Sequence, residues 1–319
     1  VAGLLSFQPD ESIAQVLAIR DYEQAPYLLL ATRNGLVKKT RLADYNSPRQ
    51  AGVIAINFRE EDDELIGAAL CSAADDVLLV SRKGQAIRFR ADDTQLRPMG
   101  RATSGVTGMK FREGDSLLSM SVIRATQVAA EEAAGLAEHD EESAAVEATA
   151  EQVAEVKPQY VFTITDGGFA KRTRISEYRL QSRGGLGIKA MALTNADRGG
   201  LVGAFIVEDG DEVLSITASG QVVRSPIDEA FRPTGRSTQG VKFVTPKKND
   251  TVAVVARSVE AAEDEEESEE GTESGAEPGA EGVEASSQGE APADASATIE
   301  ADAPGTEASE PEASDTEDE

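Results

Sequence analysis

With a single cysteine, Cys71, the chain can form neither an internal disulfide nor a cysteine metal cluster. A buried strand thiol in a reducing compartment is the reading that remains. The single histidine, His139, stands among acidic residues, which argues against both a Ser-His-Asp triad and a histidine metal site. No apolar run reaches the length of a membrane span. The opening VAGLLSF has neither the basic region nor the cleavage pattern of a signal peptide, and its start on Val rather than Met reads as a piece of a longer chain. Lys and Arg are missing altogether from two segments, 125–156 and 260–319, which carry 9 and 23 acidic residues. The formal net charge of −27 therefore misleads as an argument against nucleic acid. Residues 1–124 balance 16 basic against 16 acidic side chains, and residues 157–259 set 15 against 10.

What the balanced segments do contain is a repeat. Asp75 to Arg90, DDVLLVSRKGQAIRFR, reads as a β-hairpin turning at Lys83-Gly84, with one apolar and one cationic strand face. The same unit recurs around Gly35, Gly168 and Gly220, with Asn34-Gly35 predicted as a type I′ turn. Each hairpin glycine is followed 17 to 21 residues later by a second glycine with a β-branched neighbour: Gly52-Val53, Gly105-Val106, Gly187-Ile188 and Gly240-Val241. An acidic or glycine-rich turn opening an apolar strand comes third: DDELIG, EGDSLLS, RGGLVG and KNDTVAV. Spacings of 53, 82 and 53 residues between second glycines place an insertion of about 29 residues in the third unit by the same periodicity. The expected fold is an all-β, propeller-like array of four-stranded blades over 1–259, interrupted by the acidic insertion 125–156. An acidic, disordered tail over 260–319 follows.

Basic residues recur at matched positions. Four residues after the hairpin glycines stand Lys39, Arg88, Arg172 and Arg224; six after stand Arg41, Arg90 and Arg174, with Pro226 in the last unit. A spacing of two puts each pair on one strand face, and we expect that face to be turned to solvent. Just before the second glycine come Arg49, Arg101, Arg183 and Arg236. Along the chain, Val1 to Phe7 reads as the last strand of a preceding unit and Ile13 to Ile19 as a strand. The second unit is expected over about 62–111, and the third is expected to open at Asp115 to Ile123. Ala125 to Val156 reads as a solvated insertion with some helical tendency.

The segments ATRNGLVKKT, DDELIGA, SRKGQAIRF, SGVTGMKFREGD and EYRLQSRGGLGIKA resemble the C-terminal domain of the bacterial DNA gyrase A subunit, over all four units. The resemblance implies a β-pinwheel, a propeller relative in which blades exchange strands and around whose basic rim double-stranded DNA bends and wraps. It implies as partners the remainder of the gyrase A subunit together with the gyrase B subunit, in an A2B2 assembly of the bacterial cytoplasm. The cleavage tyrosine and the use of ATP and Mg2+ would lie outside this chain, which would hold no cofactor and no catalytic site. The family's seven-residue box, Gln-basic-Arg-Gly-Gly-basic-Gly, is matched by Gln181, Arg183, Gly184, Gly185 and Gly187, with Ser182 and Leu186 replacing its two other basic residues. This reads as a second or degenerate box, or as a glycine-rich connector between blades.

DNA wrapping needs phosphate contacts at intervals and no base readout, which suits recurrent Lys and Arg. The corresponding domain of topoisomerase IV, with its poorer box, is one alternative. A propeller-like scaffold binding acidic protein partners is another. The tail would act either as a brake competing with DNA for the rim or as a solubility segment.

Overall fold

The computed structural model describes residues 11–48, 52–130, 157–195 and 198–258. In chain order the strands are β1 (Tyr27–Thr32), β2 (Leu36–Arg41), β3 (Leu65–Cys71), β4 (Asp76–Ser81), β5 (Gln85–Arg90), β6 (Val106–Thr107), β7 (Leu117–Ile123) and β8 (Gln159–Thr165). They continue with β9 (Phe169–Arg174), β10 (Ile188–Lys189), β11 (Leu201–Glu208), β12 (Glu212–Thr217), β13 (Val222–Pro226), β14 (Val241–Lys242) and β15 (Val252–Ser258). The expected tail, most of the insertion, Val1 to Phe7 and Arg49 lie outside the described residues.

The four hairpins are built alike. In each, the glycine amide donates to the carbonyl three residues back: Gly35 to Thr32, Gly84 to Ser81, Gly168 to Thr165 and Gly220 to Thr217, at 2.9–3.0 Å. The Ser or Thr hydroxyl at that same position accepts from the amide just after the glycine, at 3.1–3.2 Å. Only the glycine is left-handed, with Gly35 at φ +81° and Asn34 outside that region. The type I′ expectation is thus corrected. The turn is a type I turn closed by a left-handed glycine, because Thr32 supplies a side-chain acceptor that a two-residue loop would not use.

The third landmark closes its own blade instead of opening the next one. Its aspartate caps the preceding hairpin: the amides of Asn34, Lys83 and Ser219 donate to Asp63, Asp115 and Asp250 at 2.9, 2.9 and 3.1 Å. The strand that follows then pairs with the first hairpin strand, as β3 with β1, β7 with β4, β11 with β8 and β15 with β12. The insertion therefore follows the second blade and does not interrupt the third. Its first residues, 125–130, are helical and packed, with Gln127, Val128 and Ala130 buried, which corrects the solvated reading for that stretch. Ile13 to Ile19 forms no strand, and Leu17 and Ile19 instead pack against Leu28 and Leu30 on the first sheet and Leu42 just after β2.

Each of the first three sheets takes its fourth strand from the following unit. The orders are β3-β1-β2-β6, β10-β5-β4-β7 and β11-β8-β9-β14, and the fourth sheet is β13-β12-β15. Strands β3, β7, β11 and β15 touch in succession and form the inner edge, so the exchanged strands lie at the outer edge. Sheets stack face to face. On β4, Val77 and Leu79 enter the core shared with the first blade, while Leu78 and Val80 enter the core shared with the third. A third core, centred on Phe162 with Phe205, Phe231 and Phe243 at 5.2–6.0 Å, joins the third and fourth blades.

The exchange depends on the second glycines. Gly105, Gly187 and Gly240 have φ of +80°, +72° and +73°, and a Cβ on them would stand 2.4–2.5 Å from the carbonyl oxygens of Val37, Ala86 and Ala170. No side chain fits there. Gly52 has the same conformation, φ +77°, but faces no atom within 4 Å among the described residues.

Candidate nucleic-acid interface

Face-to-face stacking overturns the first expectation about the cations. Lys39, Arg88 and Arg172 are not solvent-facing: they are 0, 7 and 3 % exposed. A sheet inside such an array has no solvent face, and each of these side chains ties its blade to the next. Lys39 Nζ donates to Ala91 O at 2.6 Å and Asp93 at 2.9 Å. Arg88 donates to Ile175 O and Tyr178 O at 3.2 and 3.3 Å while pairing with fully buried Asp76 at 2.7 Å. Arg172 donates to Phe231 O, to Asp228 O and to Asp209. Lys39 and Arg172 also stand 4.5 Å above the rings of Tyr27 and Tyr160, a favourable cation–π placement. Their charge is neutralised inside the protein.

Two residues further on, the strands run out of cover. Arg41 and Arg174 are exposed, and Arg90 is half-exposed, 3.4 Å from Asp76. Arg224 is exposed and paired with Glu212, the equivalent in the fourth blade of the Arg88–Asp76 pair.

The arginines before the second glycine are also ties, but partial ones. Arg101 donates to Ile54 O at 3.4 Å, Arg183 to Thr107 O at 3.0 Å and Arg236 to Lys189 O at 3.0 Å. In every case the acceptor lies two residues after the second glycine of the preceding unit, so these bonds link equivalent segments of successive units. All three keep part of their surface in solvent.

The structure adds a set that the sequence reading missed. Eight residues before the second glycine stand Arg97, Arg179 and Arg232, all exposed and without a hydrogen bond or ion pair among the described residues. Lys189 on β10 and Lys110 and Arg112 after β6 are exposed as well. The signal was available, because the offset from the second glycine is constant. It was hidden because the offset from the hairpin glycine varies.

The box-like stretch lies between the second and third units. Gln181 N donates to Arg88 O at 2.8 Å, Gly184 N to Gly108 O at 2.6 Å, and Gly185 O accepts from Lys110 N at 2.9 Å. Gly184 and Gly187 are left-handed. Ser182 and Leu186, which replace the two basic residues, are both exposed, so the missing charges are solvent-side ones. Among the described residues no group of three or more His, Cys, Asp or Glu is placed to hold a metal ion. Cys71 is buried, and burial pushes its thiol up to about 12.

Four stacked antiparallel sheets that exchange outer strands, with unpaired arginines at matched positions, define a propeller-like repeat domain with a cationic outer edge. The family described as "DNA gyrase C-terminal domain, beta-propeller" matches residues 26–72, 75–124, 159–208 and 211–257, and the chain belongs to it. The DNA gyrase A subunit of Nocardioides sp. is 78% identical over 266 residues, which are 83% of this chain and 29% of that protein. Its Streptomyces coelicolor counterpart is 51% identical over 92% of this chain and 31% of its own length, and the Mycobacterium tuberculosis one 46% over 83% and 27%. The chain thus spans under a third of these relatives. Among solved structures, the C-terminal domain of DNA topoisomerase IV has a TM-score of 0.64 at 22% identity, covering 80% of this chain and 69% of that one. The DNA gyrase A C-terminal domain has 0.61 at 23%, covering 80% and 73%. At these identities the structural likeness speaks to the fold alone.

Proposed function

We propose that this domain binds, bends and wraps double-stranded DNA along its outer edge as the C-terminal part of a bacterial DNA gyrase A subunit. The observation that carries the proposal is the set Arg97, Arg179 and Arg232, unpaired cations at one repeat position on three successive units. Like contacts repeated once per unit suit a phosphate backbone and read no sequence. Arg101, Arg183 and Arg236 stand four residues further along the same loops and share that role with the solvent-exposed part of their guanidinium groups. Smooth bending of a short duplex through 40–90° costs roughly 1–6 kcal/mol, which a row of such contacts offsets.

In the assembled A2B2 enzyme the wrapped segment would present a DNA crossing for strand passage, in the bacterial cytoplasm. Cleavage and the use of ATP and Mg2+ would fall to the remainder of the gyrase A subunit, with the gyrase B subunit as its partner. The high identity to gyrase A sequences favours gyrase over topoisomerase IV.

Replacing Arg97, Arg179 and Arg232 together by Ala should weaken duplex binding equally for unrelated sequences. It should also lower the slope of log K against log salt by about 3. Fluorescence anisotropy across a salt series measures both. A slope unchanged in a folded triple variant removes this edge from the interface. Tighter salt-dependent binding to an acidic peptide than to duplex would favour the scaffold reading.

A further inference from the structure

The loops that carry these arginines are of two kinds, and the strand beneath each loop differs to match. Arg97-Pro98-Met99-Gly100-Arg101-Ala102-Thr103-Ser104-Gly105 and Arg232-Pro233-Thr234-Gly235-Arg236-Ser237-Thr238-Gln239-Gly240 share one pattern, Arg-Pro-x-Gly-Arg-x-Thr-x-Gly. The loop Arg179 to Gly187 lacks that pattern and carries Gly184-Gly185 in its place. Three residues after the hairpin glycine, the strands under the first kind carry Lys38 on β2 and Lys171 on β9, and the strand under the second carries Ile87 on β5.

Both lysines are buried, at 0 and 1 % exposure. Lys38 Nζ donates to Gly100 O at 3.2 Å, Thr103 O at 3.5 Å, and also to Ala55 O and Arg101 O. Lys171 Nζ donates to Gly235 O at 2.9 Å and to Arg236 O. The two loops repeat each other in detail. Thr103 and Thr238 hydroxyls donate to Gly100 O and Gly235 O at 2.9 and 2.8 Å. Their own carbonyls accept from Asn57 N and Ala192 N, at 3.1 and 3.0 Å. In the other loop no lysine is present, and a Cβ on Gly185 would stand 3.6 Å from Ile87 Cδ1.

A long cationic side chain is ordinarily kept out of a core, because losing hydration is costly unless every N–H finds an acceptor. Here the acceptors are backbone carbonyls of the arginine loop, joined at Lys38 by Ala55 O. Carbonyls drawn inward at Gly100 and Arg101, or Gly235 and Arg236, leave the adjoining side chains directed outward.

We propose that Lys38 and Lys171 are positioning residues that fold the loops 97–105 and 232–240 around their Nζ atoms, making these loops a second type of DNA-guiding element beside the Gly-Gly loop of the box-like stretch. Neither lysine touches DNA. Each acts through two arginines, Arg97 and Arg101 or Arg232 and Arg236, so the inference rests on the outer edge being the DNA interface.

The test uses the full chain carrying Lys171→Met, which keeps the side chain's length and removes its donors, and Thr238→Val, a milder change in the same loop. Lys171→Met should lower the salt slope for duplex binding by about 2, as if both arginines were lost. Adding Arg232→Ala and Arg236→Ala to it should lower the slope no further, the non-additivity of groups acting as one unit. Thr238→Val should move the slope in the same direction by less. If Lys171→Met keeps the parent slope while the arginine pair lowers it, the positioning role is overturned. If the parent chain itself shows no salt-dependent duplex binding, the DNA reading fails separately. Amide exchange over residues 235–240 then decides the loop claim: faster exchange in Lys171→Met upholds it and equal exchange refutes it.

Discussion

A lysine held in a core by carbonyls responds to pH in a sense opposite to that of a surface ion pair. Burial lowers the Lys171 pKa from 10.5 to about 7, with Glu177 raising it and Arg236 lowering it. Lys38 is lowered to about 8 by burial and by Arg101. Between pH 7 and 10.5 the unfolded chain keeps the proton that folded Lys171 has released. The unfolded state therefore binds more protons, and stability rises with pH across that window. The neutral amine still has two N–H groups for the two carbonyls it serves. The advantage of the parent over Lys171→Met should therefore grow from about pH 6.5 to about pH 9.5, read as the difference between their urea midpoints. A difference that is flat or shrinking over this range would mean that the side chain stays charged throughout.

Legibility at the element scale divides by range. The hairpins were readable because the Ser/Thr-x-x-Gly turn is local: its hydroxyl, carbonyl and glycine lie within five residues. The partner of the strand after DDELIG was not readable from spacing, since a strand beside a turn can pair backward or forward, and the backward choice depends on Asp63 reaching Asn34. Cations alternating with apolar residues suggest a wet face, yet alternation does not reveal whether a second sheet covers that face. Lys39, Arg88 and Arg172 show the difference. The free set Arg97, Arg179 and Arg232 becomes visible only when the units are aligned on their second glycines.

Edges were less legible still. Among the described residues β13 pairs only with β12, and its outward Val222 is 59% exposed on an open edge. An open edge with an apolar side chain is a template for pairing with another chain. Val222→Lys should reduce concentration-dependent association in sedimentation velocity while leaving the melting temperature within about a degree, since exposed substitutions move stability by under about 0.5 kcal/mol. Unchanged association would show that the edge is already protected.

Across the whole molecule, exchanging strands makes neighbours share their stability. Gly187 belongs to the third unit, but the carbonyl oxygen that a Cβ on it would meet at 2.4 Å is that of Ala86 in the second. Gly187→Ala adds a clash with fixed backbone to the strain of left-handed Ala, roughly 1–3 kcal/mol beyond the roughly 1–2 of the strain alone. Gly52→Ala, with open space at its Cβ, carries the strain alone. Urea unfolding should rank the two in that order. Amide exchange in Gly187→Ala should quicken in β4 and β5 as well as in β10. Quickening confined to β10 would mean that the blades are stable independently.

The same exchange sets an order in time as the chain is made. Val106 follows Arg41 by 65 residues, so the first sheet, although its hairpin is complete, must wait for the second hairpin to emerge before its outer strand exists. For the second sheet the wait, from Arg90 to Ile188, is 98 residues, because the insertion intervenes. At synthesis rates of about 5–20 residues per second these delays last from several seconds to about twenty. Each of the first three blades therefore leaves the ribosome with its β2-type edge bare, and the next unit to be synthesised covers it.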